Sequence, residues 1–506
     1  MKRFIFIFVG LLCFTLLSAL PAYSESLLQK AKSGNEKAQY YLGRAYYDGN
    51  GVNKDYNQAF SWFKSAAEQG YAEAQGFLGL LYFVGEGVKQ DYNEAFRWYK
   101  AAAEQGYAQA QFNLGICYYI GKGITQDYNE AFRWFKAAAE QGYAEAQFNL
   151  GNCYSEGKGT KQDYNEAFRW YKAAAKQGIA YAQYYLGDLY FFGQGVKQDY
   201  NKAFRWYKAA AEQGDEKAQF NLGVCYYYGQ GVRQDYKEAF RWFKVAAEQG
   251  LPEAQWNLGN CYENGEGIRQ DYNEAFRWFK AAAEQGNADA QCRIGNCYYE
   301  GLGTKQDYNE AFRWYKAAAE QGYAQAQFNL GICYYIGKGI TQDYNEAFRW
   351  FKAAAEQGYA EAQFNLGNCY SEGKGTKQDY NEAFRWYKAA AKQGIAYAQY
   401  YLGDLYFFGQ GVKQDYNKAF RWYKAAAEQG DEKAQFNLGV CYYYGQGVRQ
   451  DYKEAFRWFK VAAEQGLPEA QWNLGNCYEN GEGIRQDYNE AFRWFKAAAE
   501  QGNADA

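Results

Sequence analysis

The sequence contains one motif that could supply a nucleophile. Ser61 and Lys64 lie in a Ser-Trp-Phe-Lys segment, and Ser-x-x-Lys is the arrangement in which penicillin-recognising enzymes activate a serine. The chain repeats this segment twelve more times with Arg in place of the serine, as at Arg97, and with the Lys kept; neither Ser-Asp-Asn nor Lys-Thr-Gly occurs anywhere. We therefore expect a structural role for Ser61 and no catalytic residues.

Cysteine is the second reactive side chain, and ten of the eleven cysteines follow residue 24. Nine recur at multiples of 36 residues: Cys117, Cys153, Cys225, Cys261, Cys297, Cys333, Cys369, Cys441 and Cys477. Packed helices lie about 8–10 Å apart, which exceeds the roughly 7 Å between Cα atoms that a disulfide spans. The spacing therefore predicts buried thiols that act as small apolar side chains, and it also disfavours a bridge between Cys297 and the extra Cys292.

Two turn motifs resemble ligand loops. Gly-x-Gly turns such as Gly121–Gly123 could cradle a phosphate, but they lack the third glycine and the Lys-Ser/Thr of such loops. Asp48 begins a segment that resembles a calcium loop, which Val52 and a missing Glu at the twelfth position break. Because the chain has no histidine, imidazole bases and histidine-ligated metals are excluded. We expect no cofactor and no metal.

All these residues belong to one frame of 36 residues. The pattern Ala-Gln-x-x-(Leu/Ile)-Gly begins at Ala38 and recurs every 36 residues to Ala470, which makes thirteen copies. We number the positions of a copy as slots, with slot 1 at this Ala, so the third copy runs from Ala110 to Glu145. An unbroken period of this length predicts tandem structural modules rather than separate globular domains.

Each copy carries two stretches with the apolar spacing of an amphipathic helix. In the third copy the first, helix A, has its apolar side chains at slots 1, 5 and 8, and the second, helix B, at slots 22, 26, 29 and 30: Ala110, Leu114, Cys117, Ala131, Phe135, Ala138 and Ala139. The sequence therefore predicts an all-α fold, an α-α superhelix or solenoid of thirteen helical hairpins.

The helix boundaries have local signals. Asp127 is placed to cap helix B, with Glu130 completing a capping box, and Gly142 can adopt the left-handed conformation that ends it. Glycine occupies slot 6 inside helix A in every copy, as Gly115, at a cost of about 1 kcal/mol relative to alanine. We expect an aromatic side chain of the facing helix to need that space, and we expect the tryptophan at slot 25, such as Trp134, to lie in the core.

The first residues resemble a secretory signal. Lys2 and Arg3 precede an apolar run from Phe4 to Leu17, and residues 22–24 form a small-residue cleavage site. We expect residues 1–24 to be removed and the mature chain to be secreted or periplasmic in a bacterium, without a membrane span. With 55 basic and 58 acidic side chains interleaved, no basic face is available for nucleic acid.

The repeat resembles the Sel-one-like repeats, relatives of the tetratricopeptide repeats. The second copy matches their pattern at Ala74, Leu78, Gly79, Tyr82, Gly85, Gly87, Val88, Asp91, Ala95, Trp98, Tyr99, Ala102, Ala103 and Gly106, and the resemblance covers residues 27–506. It implies a right-handed superhelix that acts as an adaptor for protein complexes, in some bacterial members in signalling or host contact. A cysteine-rich secreted subgroup is associated with β-lactam binding, but its two cysteines per repeat are not found here.

The copies differ at slots 3, 7, 10 and 11 of helix A, the side that lines the concave surface in tetratricopeptide-like folds. Variation there fits either a ligand surface built module by module or drift at solvated positions, and the aromatic residues favour the former. The candidate binding residues are Phe112, Ile116, Tyr119, Ile120, Phe148, Asn152, Glu156, Tyr184, Asp188, Phe191, Phe192, Phe220, Val224, Tyr227, Tyr228, Trp256, Asn260 and Asn264.

A larger symmetry lies above the 36-residue period. Residues 89–290 recur unchanged as residues 305–506, so every site in the first block has a twin and avidity becomes available. Residues 25–37 are expected to form a partial capping helix before the thirteen repeats of residues 38–506. The last repeat has no predicted polar cap, which suggests self-association or truncation.

These patterns favour a non-catalytic scaffold that binds a protein or peptide partner on the concave face of the solenoid. A peptidoglycan or carbohydrate binder is the first alternative, because exposed aromatic rings also suit sugars. A β-lactam hydrolase is the second and rests only on the resemblance to the cysteine-rich subgroup.

Overall fold

A computed structural model describes residues 21–502, so most of the predicted signal segment and the last four residues lie outside the described part. The described chain is helical throughout, without a strand, and it forms two compact units that divide between Leu251 and Pro252. The all-α architecture of paired helices predicted from the 36-residue period is confirmed.

The first unit begins with α1 and continues with six helical hairpins, each made of one helix A and one helix B. Its helices are α1 (Glu25–Lys32), α2 (Glu36–Asp48), α3 (Tyr56–Glu68), α4 (Ala72–Val84), α5 (Tyr92–Glu104), α6 (Ala108–Ile120), α7 (Tyr128–Glu140), α8 (Ala144–Glu156), α9 (Tyr164–Lys176), α10 (Ala180–Phe192), α11 (Tyr200–Glu212), α12 (Glu216–Tyr228) and α13 (Tyr236–Glu248). Within this unit, every two consecutive helices pack against each other.

The second unit contains seven hairpins with the same internal packing. Its helices are α14 (Pro252–Asn264), α15 (Tyr272–Glu284), α16 (Ala288–Glu300), α17 (Tyr308–Glu320), α18 (Ala324–Ile336), α19 (Tyr344–Glu356), α20 (Ala360–Glu372), α21 (Tyr380–Lys392), α22 (Ala396–Phe408), α23 (Tyr416–Glu428), α24 (Glu432–Tyr444), α25 (Tyr452–Glu464), α26 (Pro468–Asn480) and α27 (Tyr488–Glu500).

The core of each hairpin consists of the slots that the sequence identifies. In α6 and α7 the side chains of Ala110, Leu114, Cys117, Ala131, Phe135, Ala138 and Ala139 are at most 1% exposed. Gly115 lies opposite the ring of Phe135, and a Cβ on Gly115 would stand 2.7 Å from that ring. The predicted reason for the recurring glycine, room for an aromatic side chain of the facing helix, is therefore confirmed.

The helix ends agree with the sequence in part. The Asp127 side chain accepts hydrogen bonds from the backbone N–H groups of Asn129 and Glu130 at 2.8 and 3.2 Å, as a helix cap does. The predicted capping box is wrong, because the Asp127 N–H donates instead to the carbonyl of Tyr118 at 2.9 Å. The Glu130 carboxylate consequently pairs with Arg133 at 3.4 Å.

Apart from Trp170, which is 9% exposed and belongs to the core, the described tryptophans at slot 25 are less buried than the sequence suggests. Trp134 is half-buried and lies under the guanidinium of Arg133, 5.6 Å from it, and the same arrangement holds Trp98 under Arg97 at 4.9 Å. The large ring reaches the surface with one face, so these residues form the edge of the core rather than its centre.

The glutamine at slot 2 joins consecutive modules, a role that its recurrence in the sequence did not reveal. Gln111 is 8% exposed; its Nε2 donates to the carbonyl of Ala103 in the preceding helix B, at 3.2 Å, and its Oε1 accepts from Gln141 at 2.7 Å. Gln141 also donates to the carbonyl of Gly106 at 3.0 Å. These side chains satisfy backbone groups at the end of one helix B and fix the next module against it.

Candidate protein-interaction surface

The predicted binding residues lie on helices A, and their exposure increases toward the carboxyl end of each helix. Slot 3 is the deepest: Phe112 is 5% exposed and packs against Phe135 and Tyr143, with ring centroids 5.9 and 5.3 Å apart. Phe148, Tyr184, Phe220 and Trp256 are half-buried in equivalent places. In the described structure these rings therefore form part of the packing between helices.

Slot 7 varies together with slot 26, which faces it from helix B of the same module. Where slot 26 is tyrosine, slot 7 is polar in five of six modules: the Tyr171 hydroxyl donates to Asn152 and the Tyr207 hydroxyl donates to Asp188, both at 2.7 Å. Where slot 26 is phenylalanine within residues 89–290, slot 7 is the apolar Ile116 or Val224, although Asn260 is an exception. A large part of the variation at slot 7 thus follows the hydrogen-bonding need of a buried tyrosine.

Asp188 is a buried carboxyl with a perturbed pKa. It accepts hydrogen bonds from Tyr207 at 2.7 Å and from Asn221 at 3.3 Å. Burial raises the pKa of Asp188 to about 6, and the hydrogen bonds from Tyr207 and Tyr184 oppose that increase. Burial also raises the pKa of Asp215, which caps α12, to about 6.

Slots 10 and 11 carry the exposed aromatic surface. Phe191 packs edge-on against Tyr200, with ring centroids 5.1 Å apart, and Phe192 packs edge-on against Phe191 at the same distance. In the next module Tyr227 and Tyr228 repeat this arrangement at 4.9 Å. Phe192 and Tyr228 remain 63% and 65% exposed, so each ring is fixed on one edge and open to solvent on its face.

The other modules of the first unit do not present exposed rings at slot 11. Ile120 and Glu156 are half-buried there, and Glu156 forms an ion pair with Lys158 at 2.8 Å. In the second unit Asn264 is exposed and polar at this slot. The aromatic pairs of α10 and α12, with their counterparts Phe408 and Tyr444 on α22 and α24, are therefore the parts of the predicted residue set that stand out from the surface.

Slot 13, in the Gly-x-Gly turn, adds a contact that the sequence alone did not indicate. Lys158 donates to the hydroxyl of Tyr119 in the preceding module at 2.7 Å and lies over the Tyr119 and Tyr128 rings. At the equivalent place Gln230 follows Phe191, which has no hydroxyl, and the Gln230 Oε1 is buried without a partner. In the sequence, this contact corresponds to a pair of residues 39 positions apart, slot 13 of one module and slot 10 of the module before it.

A cavity opens beside the aromatic pair of α10. It measures about 540 Å³ and is lined by residues 196–202 at the start of α11 together with Gly231 of the next turn. The turn lies so close to α11 that a Cβ on Gly231 would stand 2.0 Å from the carbonyl of Tyr200. A similar cavity of about 820 Å³ in the second unit is lined by residues 412–418, Gly445, Gly447, Val448 and Arg449.

The serine, lysine and cysteine side chains that could be reactive have structural surroundings. The Ser61 hydroxyl donates to the carbonyl of Asn57 at 3.0 Å, and Lys64 pairs with Glu68 at 3.9 Å. The ten cysteines that follow residue 24 are buried free thiols, and burial raises the pKa of Cys117 to about 12, which suppresses the reactive thiolate at neutral pH. No group of three or more acidic or cysteine side chains suited to a metal ion occurs in residues 21–502.

Within the same residues, no helix combines the length and the apolar character that crossing a membrane requires. Paired helices stacked in series within each unit, with exposed rings at recurring slots, define an α-helical repeat scaffold. This class of fold is non-catalytic and binds protein partners.

The comparisons with known proteins identify the family. The Sel1 repeat matches thirteen consecutive segments from residue 36 to residue 503, and the chain belongs to this family. A crystal structure of a protective antigen of uropathogenic Escherichia coli with an SLR fold is 37% identical, with a TM-score of 0.74 over 94% of this chain and 97% of that one.

Two further relatives are similar over shorter stretches. A Sel1 repeat protein from Oxalobacter formigenes is 35% identical, covers 61% of this chain and 89% of its own, and has a TM-score of 0.48. The secretory immunoglobulin A-binding protein EsiB of Escherichia coli is 48% identical over 54 residues, which is 10% of this chain and 11% of EsiB. The alignment with this curated relative thus spans about a tenth of its length.

Proposed function

We propose that the protein is a secreted or periplasmic scaffold that binds a protein partner through the aromatic pairs of α10 and α12, and through their twins on α22 and α24. One observation carries this proposal: Phe192 and Tyr228 expose more than 60% of their surface although neighbouring rings hold them in place. Rigid, exposed aromatic side chains are typical of the residues that contribute most to protein binding, because little conformational entropy is lost when they are covered.

The relatives support a role in host contact. EsiB is named for binding secretory immunoglobulin A, and the similar crystal structure is of a protective antigen of uropathogenic strains. Secretory immunoglobulin A is therefore the first partner to test, and proteins of the bacterial envelope are the second.

The test compares the wild-type protein with a variant in which Phe192, Tyr228, Phe408 and Tyr444 are changed to Ala. We expect the variant to lose at least about tenfold in affinity for immobilised secretory immunoglobulin A or an envelope partner, while its melting temperature stays within a few degrees. The matched control changes Ile120 and Ile336, which occupy the same slot two modules earlier, to Ala. Equal loss in both variants would contradict the proposal.

A carbohydrate ligand is the second candidate, because exposed ring faces also stack on sugars. Peptidoglycan fragments in the same assay separate the two functions. The sugar-binding alternative would be favoured if the wild-type protein bound glycan chains and the variant with all four rings changed to Ala, the four-ring variant, did not. For the proposed destination, fusion of residues 1–24 to a reporter should direct it out of the cytoplasm, and a cytoplasmic reporter would contradict secretion.

A further inference from the structure

We propose that the binding site around α10–α12 selects an acidic protein segment, whose carboxylates occupy the cavity beside the aromatic pair while its apolar side chains cover Phe192 and Tyr228. The inference rests on the proposed function and specifies the chemistry of the partner. It follows from the placement of positive charge at the start of α11, which lies between the helix that carries Phe192 and the helix that carries Tyr228.

The cavity wall contributes cationic side chains. Lys197 and Lys202 line the cavity at the start of α11, and the corresponding cavity of the second unit is lined by Lys413, Lys418 and Arg449. Within the described chain, Lys197 forms no ion pair, so its ammonium group remains available to a ligand.

Lys202 also changes the charge balance of the whole helix face. Slot 21 is Glu in ten modules, where it forms an ion pair with the arginine at slot 24, as Glu166 does with Arg169 at 3.6 Å. In α11 slot 21 is Lys202 and the arginine at slot 24 is Arg205; among the twelve slot-24 arginines of the described residues, Arg205 and its twin Arg421 are the two without an ion pair. One substitution thus adds a cation and releases another.

The acidic side chain in the cavity wall does not cancel this charge. Asp199 accepts from the backbone N–H of Lys202 at 3.0 Å and pairs with the Lys202 ammonium at 3.1 Å. The backbone hydrogen bond from Lys202 is the largest cause that lowers the pKa of Asp199. With Asp199 engaged in this way, Lys197 carries the uncompensated positive charge of the cavity wall, and Arg205 adds an exposed cation further along the same helix.

Tyr200 joins the cavity to the aromatic pair. It lines the cavity, and its ring packs against Phe191, with centroids 5.1 Å apart, while Phe191 holds Phe192. Only the rings of Phe191 and Tyr200 therefore lie between Phe192 and the cationic wall of the cavity. Positive charge beside exposed aromatic residues fits a chain in which carboxylates alternate with apolar side chains, because each kind of side chain then meets its complement.

The arrangement occurs twice with the same residues. Phe407 packs against Tyr416 at 5.1 Å, Phe408 is 63% exposed, and Lys418 pairs with Asp415 at 3.1 Å in the second unit. Four modules of the described chain expose an aromatic ring at slot 11: those of Phe192 and Phe408 carry Lys at slot 21, and those of Tyr228 and Tyr444 follow them directly. Charge and rings thus mark the same two places in the chain.

The experiment measures binding of two synthetic peptides to the full chain by calorimetry. One peptide alternates Glu with Leu and Phe, and the other has every Glu replaced by Gln. We expect the acidic peptide to bind at least about tenfold more tightly at low salt, and this preference to fall as salt is raised, because ions screen exposed charges.

The diagnostic variant is Lys202→Glu with Lys418→Glu, which restores the side chain of the other modules and its pairing with arginine, so the fold is preserved. The control, Lys161→Glu with Lys377→Glu, makes the same change of net charge at exposed turn positions of α8–α9 and α20–α21. We expect the first variant to lose the preference for the acidic peptide and the control to keep it.

Two results would overturn the inference: equal binding of the two peptides by the wild-type chain, or equal loss in both charge variants. If the four-ring variant still abolished binding of the protein partner in either case, the proposed function would stand and the acidic specificity would be rejected. Retained partner binding by the four-ring variant would reject the proposed function itself.

Discussion

At the scale of single residues, Asp188 is a largely buried carboxyl that accepts a hydrogen bond from a core tyrosine and lies close to the exposed aromatic surface. Its carboxyl lies beneath the Tyr207 hydroxyl, one helical turn before the exposed Phe192, and burial raises the pKa of Asp188 to about 6. The modules with Asn152 and Asn368 at this slot make the same hydrogen bond to a tyrosine with a neutral side chain. Asp188 and its twin Asp404 therefore carry a charge that the hydrogen bond itself does not require.

Replacement of Asp188 and Asp404 by Asn should stabilise the protein at neutral pH. A pKa raised from 3.8 to about 6 in the folded state means that the acid is favoured in its protonated form, so this stability is complete below pH 4 and is lost as the pH rises through 6. We expect the Asn variant to gain roughly 1–3 kcal/mol in the free energy of unfolding at pH 7.5.

Urea denaturation at pH 7.5 and at pH 4 measures this gain. Near pH 4 the two proteins should differ little, because the aspartates are then protonated in the folded state. We assign the pH dependence of the free energy of unfolding that remains in the variant to Asp215, because burial also raises the pKa of Asp215 to about 6. A gain of the same size at both pH values would contradict the assignment to Asp188.

At the scale of helices, the stack depends on polar side chains that cross from one module to the next. Gln111 satisfies the carbonyl of Ala103 and accepts from Gln141, and these contacts recur at each module boundary that lies within a unit, for example at Gln327 and Gln357. The Ala103 carbonyl also accepts from the Gly106 N–H at 3.0 Å, so removing the glutamine takes away its hydrogen bonds across the boundary but leaves this carbonyl one partner.

Replacement of Gln111 by Ala should loosen one module boundary. We expect a local cost of about 0.5–1.5 kcal/mol for each lost hydrogen bond, seen as faster amide hydrogen exchange in the last turn of α5 and the first turn of α6. The control is Gln194→Ala, which removes an exposed glutamine from a turn. Unchanged exchange in the Gln111 variant would show that apolar packing alone holds the boundary.

Helix positions, caps and core slots could be predicted from the sequence because they depend on neighbours within one module. Asp127, Gly115 and Phe135 each have their signal within about 20 residues of their partner. The contact of Lys158 with Tyr119 spans 39 residues, and it exists only because one turn lies over the preceding hairpin. The period predicts the number of modules but not this offset, so the contact made by slot 13 does not follow from it. The pairing of slots 7 and 26 spans only 19 residues, but it becomes visible only when the copies are compared with each other.

At the scale of the whole molecule, the exact repetition of residues 89–290 as residues 305–506 gives each unit one aromatic and cationic site. The ring pairs of α10 and α12 belong to the first unit and those of α22 and α24 to the second. Under the proposed function, the chain has two equivalent sites for a partner, one in each unit.

A variant in which only Phe192 and Tyr228 are changed to Ala should keep one working site. We expect calorimetry with a monovalent partner to give two binding sites per chain for the wild type and one for the variant, with the remaining affinity unchanged. Against a surface densely coated with the partner, the variant should dissociate faster, because rebinding through a second site is lost. A stoichiometry of one for both proteins would contradict two independent sites.

From Gly87 onward, the Gly-x-Gly turns within each unit lie against the start of helix B of the preceding module with no room for one more carbon. A Cβ on Gly123 would stand 2.0 Å from the carbonyl of Tyr92, and a Cβ on Gly159 would stand as close to the carbonyl of Tyr128. Such a junction tolerates no insertion of a few codons, yet it is reproduced whenever a whole multiple of the period is added. Unequal recombination between the identical blocks would consequently lengthen or shorten the gene in steps of six repeats. Each step would add or remove one complete binding site, and every junction between modules would keep its geometry.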